Sequence, residues 1–258
     1  MSRYIKAGLA LNHTIIYLDD EGRYFRFSGG TWAWRNHNPG NLYPDGISAK
    51  HNQIGRAKVS KNQCFAIFPD YENGHAALLD CLKTTYGESS IEDMVEAYAP
   101  KEGGNDVEKY RKFLHKETGI YDNKKVKDFT QDEFDKLWRA IEKIEGYKEG
   151  VLVEVFPVIQ VHKDKKGISD LNVKKKGWLP KPECIELAKQ GLLDLVICTS
   201  HAGHEYLRAR KGSPVNGSLD KLVVKGRNKE RNQALTMNII SADRENKEKV
   251  ENLICKKY

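Results

Sequence analysis

Residues 129–146, FTQDEFDKLWRAIEKIEG, constrain the chain most. Thr130 and Glu133 stand three apart ahead of an apolar-periodic run. That is the pattern of a capping box, in which each side chain satisfies a backbone N–H that the first helical turn leaves open. Phe134, Leu137, Trp138, Ile141 and then Ile144 or Glu145 recur every three or four residues, so the spacing predicts a helix with that face turned inward. Gly146 ends it. The chain's 258 residues leave room for one large domain or two modest ones, with a core that needs neither metal nor disulfide.

Upstream, residues 12–28 alternate apolar and polar positions around Asp19–Gly22 and read as two strands and a turn. SGGTWAWRNHNPGNLYPDG is dense in Gly, Asn and Pro and reads as a loop, with Trp32, Trp34 and Tyr43 packed or lining a ligand. CFAIFPD is a strand stopped by Pro69. YENGHAALLDCLKTTY has helical spacing with Ala76, Leu79 and Leu82 on one side. Two more helices follow, one capped by Ser89 or Ser90 and closed at Pro100, the other capped by Asn105 or Asp106 and stopped at Gly119. After Gly150 the pattern changes to a small α+β unit. VLVEVFPVIQVH is strand-rich, SDLNVKKKGWLP reads as a further strand, KPECIELAKQGL as a short helix, and LDLVICTS and HEYLRAR as strands. The last stretch is polar and partly helical in character.

Several function classes are disfavoured. No apolar run approaches the ~20 residues of a membrane span, and the alternating start reads as a strand rather than a signal-peptide core. A protein acting outside its cell would then need another carrier. Five cysteines, an odd number with no C-x-x-C pair, argue against a disulfide framework or a zinc site and fit a reducing cytosol. Cys198, His201 and His204 lie close in sequence but belong to no ligand cluster of defined spacing. No dinucleotide, P-loop or nucleophile-elbow motif is present, nor any motif of a sequence-specific nucleic-acid reader. The net charge of +7 favours a polyanion, whether nucleic acid, anionic membrane surface or cell wall, and much of it follows residue 160.

The groups able to do chemistry are acids. Glycosidic cleavage needs a carboxylic acid that stays protonated near neutral pH, and a Glu walled by apolar groups at a helix end supplies one because burial penalises the anion. Glu145 fits, with Gly146 turning the backbone away and Glu142 three residues earlier on the same face. A solvated charge is the plainer reading of that position alone. Glu72, where strand becomes helix, is the second candidate, as a helix-capping acid or a group that orients water or a sugar hydroxyl.

The order of WRNHNPGNL, FAIFPDYENGHAALLDCL, MVEAYAP, NDVEKYRKFL and LWRAIEKIEG over about residues 24–150 resembles lysozyme-like muralytic domains of phage virion proteins and type VI secretion effectors. The resemblance implies an α+β chain. A mainly helical lysozyme-like domain with a small β lobe would occupy residues 31–150, after an N-terminal β-hairpin extension over 1–30. An accessory α+β domain over 151–225 and a polar tail over 226–258 would follow. It implies Glu145 as the acid and Glu72 as an auxiliary one. Asn38, Asn41, Tyr43, Tyr71, Tyr98 and Asn105 would contact substrate. The expected activity is that of a muramidase cutting the β-1,4 bond between N-acetylmuramic acid and N-acetylglucosamine. No metal or other cofactor is implied. Made in the cytoplasm, it would act in the wall of a target bacterium, with an immunity protein and a secretion-tip or virion carrier as further partners. A lytic transglycosylase, a glucosaminidase, a non-catalytic wall or polyanion binder and a spent structural component are the alternatives. His37 in place of the usual Asn, and the Gly-Gly-Asn-Asp after APKE, depart from the family pattern. The segment after residue 158 resembles a small domain of unknown role.

Overall fold

The computed structural model describes residues 3–165, 167–210, 213 and 215–224. The chain divides into two compact units, Met1–Val155 with Ser213–Val215, and Phe156–Gly212 with Asn216–Tyr258.

The first unit opens with strands β1 (Tyr4–Leu9), β2 (Ile15–Asp19) and β3 (Tyr24–Ser28). The turn between β2 and β3 is organised by Asp19, whose Oδ1 accepts from the backbone N–H of Glu21 and Arg23 while Oδ2 pairs with Arg23 Nε at 2.8 Å. A short helix α1 (Trp32–Arg35) follows, capped by Thr31, and then α2 (Gly46–Lys50), capped by Asp45. Strands β4 (Gly55–Lys58) and β5 (Cys64–Ile67) form a hairpin. Helices α3 (Tyr71–Thr84), α4 (Ile91–Tyr98), α5 (Val107–Thr118) and α6 (Gln131–Glu145) come next. Side chains of Asp70, Ser90, Asp106 and Thr130 accept the open N–H groups at their starts. The expected capping box is present in full. The buried face of α3 is Gly74, Ala77, Leu78, Cys81 and Leu82 rather than the Ala76–Leu79–Leu82 line, with the helix packing against α2 and α6.

Strand β6 (Val151–Val155) then returns to pair with β3, giving an antiparallel sheet in the order β1-β2-β3-β6. The expectation of a mainly helical fold is therefore corrected. The described residues of this unit alone hold six α-helices and six strands, and the chain is a mixed α+β protein with several antiparallel sheets. The hairpin is no appendage. Ile15, Tyr17 and Phe27 pack with Trp34, Ala57 and Ile67 in a core of their own, and Val151–Val155 falls in the first unit because its backbone completes that sheet. A second core lies among the helices, around Phe68, Leu78, Leu82, Met94, Leu114, Leu137 and Ile141. Each such buried side chain contributes on the order of 1.5–3 kcal/mol relative to exposure.

The second unit has a three-stranded antiparallel sheet of β7 (Val158–Asp164), β8 (Gly167–Val173) and β9 (Gly177–Pro180). Helix α7 (Lys181–Lys189) and the pair β10 (Leu195–Thr199) and β11 (Glu205–Ala209) complete it. The single strand expected over SDLNVKKKGWLP is two, because Lys175 takes a left-handed conformation (φ 69°) and turns the chain. Val161, Leu171, Val173, Cys184, Ile185, Leu195 and Leu207 form its core. The expected tail over 226–258 lies outside the described residues. No helix among the described residues is long and apolar enough to cross a membrane.

Candidate active site

Glu145 is the last residue of α6, and three local features place its carboxyl. The periodicity of α6 carries Leu137 and Ile141 into the core and Glu145 to the rim of the same face. Gly146, at φ 73°, then swings the backbone away, a conformation that favours glycine. The exit is clamped to α1, since Thr31 donates its N–H to the Lys148 carbonyl (3.0 Å) and its hydroxyl accepts from the Lys148 N–H (3.2 Å).

Two donors meet the carboxyl. Asn41 Nδ2 donates to Oε2 at 2.8 Å and the Tyr110 hydroxyl donates to Oε1 at 2.9 Å. Burial pushes the Glu145 pKa above the ordinary carboxylate value, and the two hydrogen bonds, which favour the anion, offset this only in part. Tyr110 is itself deeply buried, which raises its own pKa and keeps it a donor. Asn41 sits at φ 47°, and its Oδ1 is buried without a partner among the described residues. The amide thus holds an acceptor in reserve beside the acid.

Glu142, one turn earlier, is part of a separate cluster. The Tyr71 hydroxyl donates to both its oxygens (2.9 and 3.0 Å), and His75 Nδ1 lies 2.8 Å from Oε1. The His75 ring packs edge-on against Trp138, and Tyr71 packs edge-on against Tyr147. Glu72 lies in the first turn of α3 and is exposed.

The other expected groove residues separate into two kinds. Asn38 is fully buried and faces no groove. Its Nδ2 donates to the carbonyls of Leu42 and Ala66 (2.9 and 3.0 Å) and its Oδ1 accepts from the Leu42 N–H. Tyr98 likewise points inward and donates to the Gly40 carbonyl at 2.7 Å. A Cβ on Gly40 would lie 2.7 Å from that hydroxyl and 2.8 Å from Leu78 Cδ1, so a larger residue there would have to displace these side chains. Both residues hold the loop that presents Asn41. Tyr43 is 45% exposed, with its ring beside Phe65 and its hydroxyl reaching the Asn62 carbonyl (3.4 Å). Asn105 is exposed and donates to the Pro100 carbonyl. The Gln63 side chain bonds the Gly103 carbonyl, which brings the β4–β5 turn and the segment after α4 together near Tyr43 and Asn105.

His37 is not a groove residue. Its ring sits among Tyr4, Tyr17 and Phe27, and burial lowers its pKa, so it behaves as a neutral core aromatic. Reading the sequence missed Tyr110 and His75. Tyr110 looks like any apolar-face residue of α5, and His75 is a lone histidine on α3. Their i-to-far partners on α6 leave no local signal. Among the described residues, no three His, Cys, Asp or Glu side chains converge as a metal site.

No model of a known protein family matches the chain, and no curated protein matches it.

Proposed function

We propose that the chain is a muramidase that cuts peptidoglycan glycan strands, with Glu145 as the general acid. The supporting observation is the state of that carboxyl, which is buried enough to hold its proton at higher pH than a free Glu, yet oriented through both oxygens by Asn41 and Tyr110. An acid so placed protonates the leaving glycosidic oxygen as the C–O bond breaks. The proton moves to that oxygen, and the carboxylate left behind is received by the same two donors. The positive charge growing on the sugar ring is met by anionic charge on the same helix face. Glu142, an acceptor for Tyr71 and His75, suits that part better than exposed Glu72. Water then completes hydrolysis, leaving a reducing N-acetylmuramic acid end. Tyr43 and Asn105 offer an exposed ring and an amide to flanking sugars.

The reading carries the biology with it. Such an enzyme acts in the wall of a target bacterium and needs a carrier to reach it, and an immunity protein protects a producing cell. The test is loss of turbidity of purified sacculi on adding the chain. Activity in the wild type and its abolition in Glu145→Gln are expected. Sacculi left intact by the wild type, or cut equally by the variant, overturn the reading.

A further inference from the structure

Arg35, the last residue of α1, is 8% exposed. A buried guanidinium ordinarily faces a carboxylate, because removing the charge from water is costly. Among the described residues Arg35 has no such partner. Its Nε is sealed from solvent without a hydrogen bond. Its two Nη groups make no hydrogen bond or ion pair among the described residues either, but they are not sealed off. Among the described residues no acidic group acts on it electrostatically, and burial pulls its pKa down. What holds the side chain is an aromatic face, with Cζ lying 3.9 Å from the Trp32 ring centroid. Trp32 continues a row of rings. His13 packs edge-on against it at 5.7 Å, Phe65 lies at 6.1 Å, and Tyr43 lies 6.2 Å beyond Phe65.

A planar cation stacked on an indole, stripped of water on one edge and open on the other, is built to receive a planar anion through two parallel N–H···O bonds. Of the flanking rings, Phe65 is buried, while the exposed His13 and Tyr43 suit the face of a sugar. The loop is the one whose Asn41 holds Glu145, and its Thr31 clamps the end of α6. We propose that Arg35, seated on Trp32, is a carboxylate-binding subsite that takes a carboxylate carried by a saccharide. This deepens the reading of the chain as a glycan-strand hydrolase and rests on it. In peptidoglycan such a group comes from the lactyl ether of N-acetylmuramic acid or from the stem peptide.

The test is a titration of the full-length protein, followed by NMR at the Trp32 indole N–H and the Arg35 side chain. The probes are N-acetylglucosamine, which has no carboxylate, N-acetylmuramic acid, and a muropeptide whose lactyl group is amidated by the stem. A charge-assisted bidentate contact predicts a Kd for a carboxylate-bearing probe about tenfold to a hundredfold lower than for N-acetylglucosamine. Arg35→Gln is expected to erase that preference. A preference for N-acetylmuramic acid over the muropeptide assigns the lactyl carboxylate, and the reverse assigns the stem. Equal affinities in the wild type overturn the proposal, and that arm needs no variant. A preference that survives Arg35→Gln overturns it too. Because Arg35→Gln loses the stacking on Trp32 but also relieves an unpaired buried charge, the variant should melt close to the wild type. A collapse in Tm together with equal affinities shows a packing residue instead. Sacculi that are cut while the preference is absent leave the hydrolase reading standing and remove this one. A preference present while sacculi stay intact does the opposite.

Discussion

Substituting Gly74 by alanine separates the tertiary structure from local helix propensity, because the two predict opposite signs. Gly74 lies inside α3, where alanine is favoured over glycine by about 1 kcal/mol. In the structure, a Cβ at Gly74 would sit 1.9 Å from the His37 carbonyl oxygen and 3.1 Å from Pro39 Cδ. The first contact is with backbone and cannot be relieved by a rotamer change. Overpacking of this kind costs about 1–3 kcal/mol. At the upper end, and after the propensity gain, the net loss is about 2 kcal/mol, or about 4–8 °C in Tm for a unit of this size. Relief requires α3 or the 37–41 loop to move, which draws Asn41 from Glu145, so activity on sacculi should fall about a hundredfold if the shift reaches 1 Å. The assay is thermal denaturation beside turbidity clearance, with Gly8→Ala as control, since a Cβ there meets nothing within 4 Å. A Tm for Gly74→Ala that rises, as propensity alone dictates, refutes the close approach of α3 to that loop.

Glu145→Gln should change stability with pH as well as activity. A buried acid with a raised pKa contributes its stability fully below the unfolded value of about 4.3 and loses it as pH rises through the higher folded value. The neutral amide avoids that loss, so the variant should melt above the wild type at pH 8 and show no gain at pH 3.5. The same Tm difference at both pH values contradicts the burial. Tyr110→Phe removes a donor that favours the anion, so the alkaline limb of the pH–rate profile should move to higher pH. Asn38→Ala breaks three buried hydrogen bonds and should cost about 3 kcal/mol of stability, read as a fall in denaturation midpoint, with KM unchanged at conditions where the variant is folded. Thr130→Ala removes the α6 cap and should cost about 1 kcal/mol, measured the same way.

What could be read from the sequence was what is written locally. The capping box and apolar period of α6 depend on neighbours three and four residues apart, and they placed Glu145 at the helix end, while the family resemblance singled it out as the acid. The sheet was harder. Strand β1 carries exposed Ile5 and Lys6 and is recognisable only through distant pairing, with β2 and with the Ile54 carbonyl that accepts the Ala7 N–H. Strand β6 ran into β7 as one apolar stretch, yet Phe156 and Pro157 separate them and the two belong to different sheets. The mainly helical expectation came with the family resemblance, and the antiparallel sheets overturn it. In the site, the loop's asparagines look alike in sequence. Asn41 reaches the acid while Asn38 is enclosed, and only the paths of Leu42 and Ala66 tell them apart. Arg35 gave no signal, since an unpaired cation is visible only once the acids of the described residues have been placed elsewhere.

The central claim, that Glu145 donates a proton to the bond between N-acetylmuramic acid and N-acetylglucosamine, is tested most directly by mass spectrometry of the fragments released from purified sacculi. The account predicts new reducing N-acetylmuramic acid ends with the wild-type chain and none with Glu145→Gln. Fragments bearing only reducing N-acetylglucosamine ends or cut only in their peptides, or muramic acid ends that persist in the variant, would contradict it.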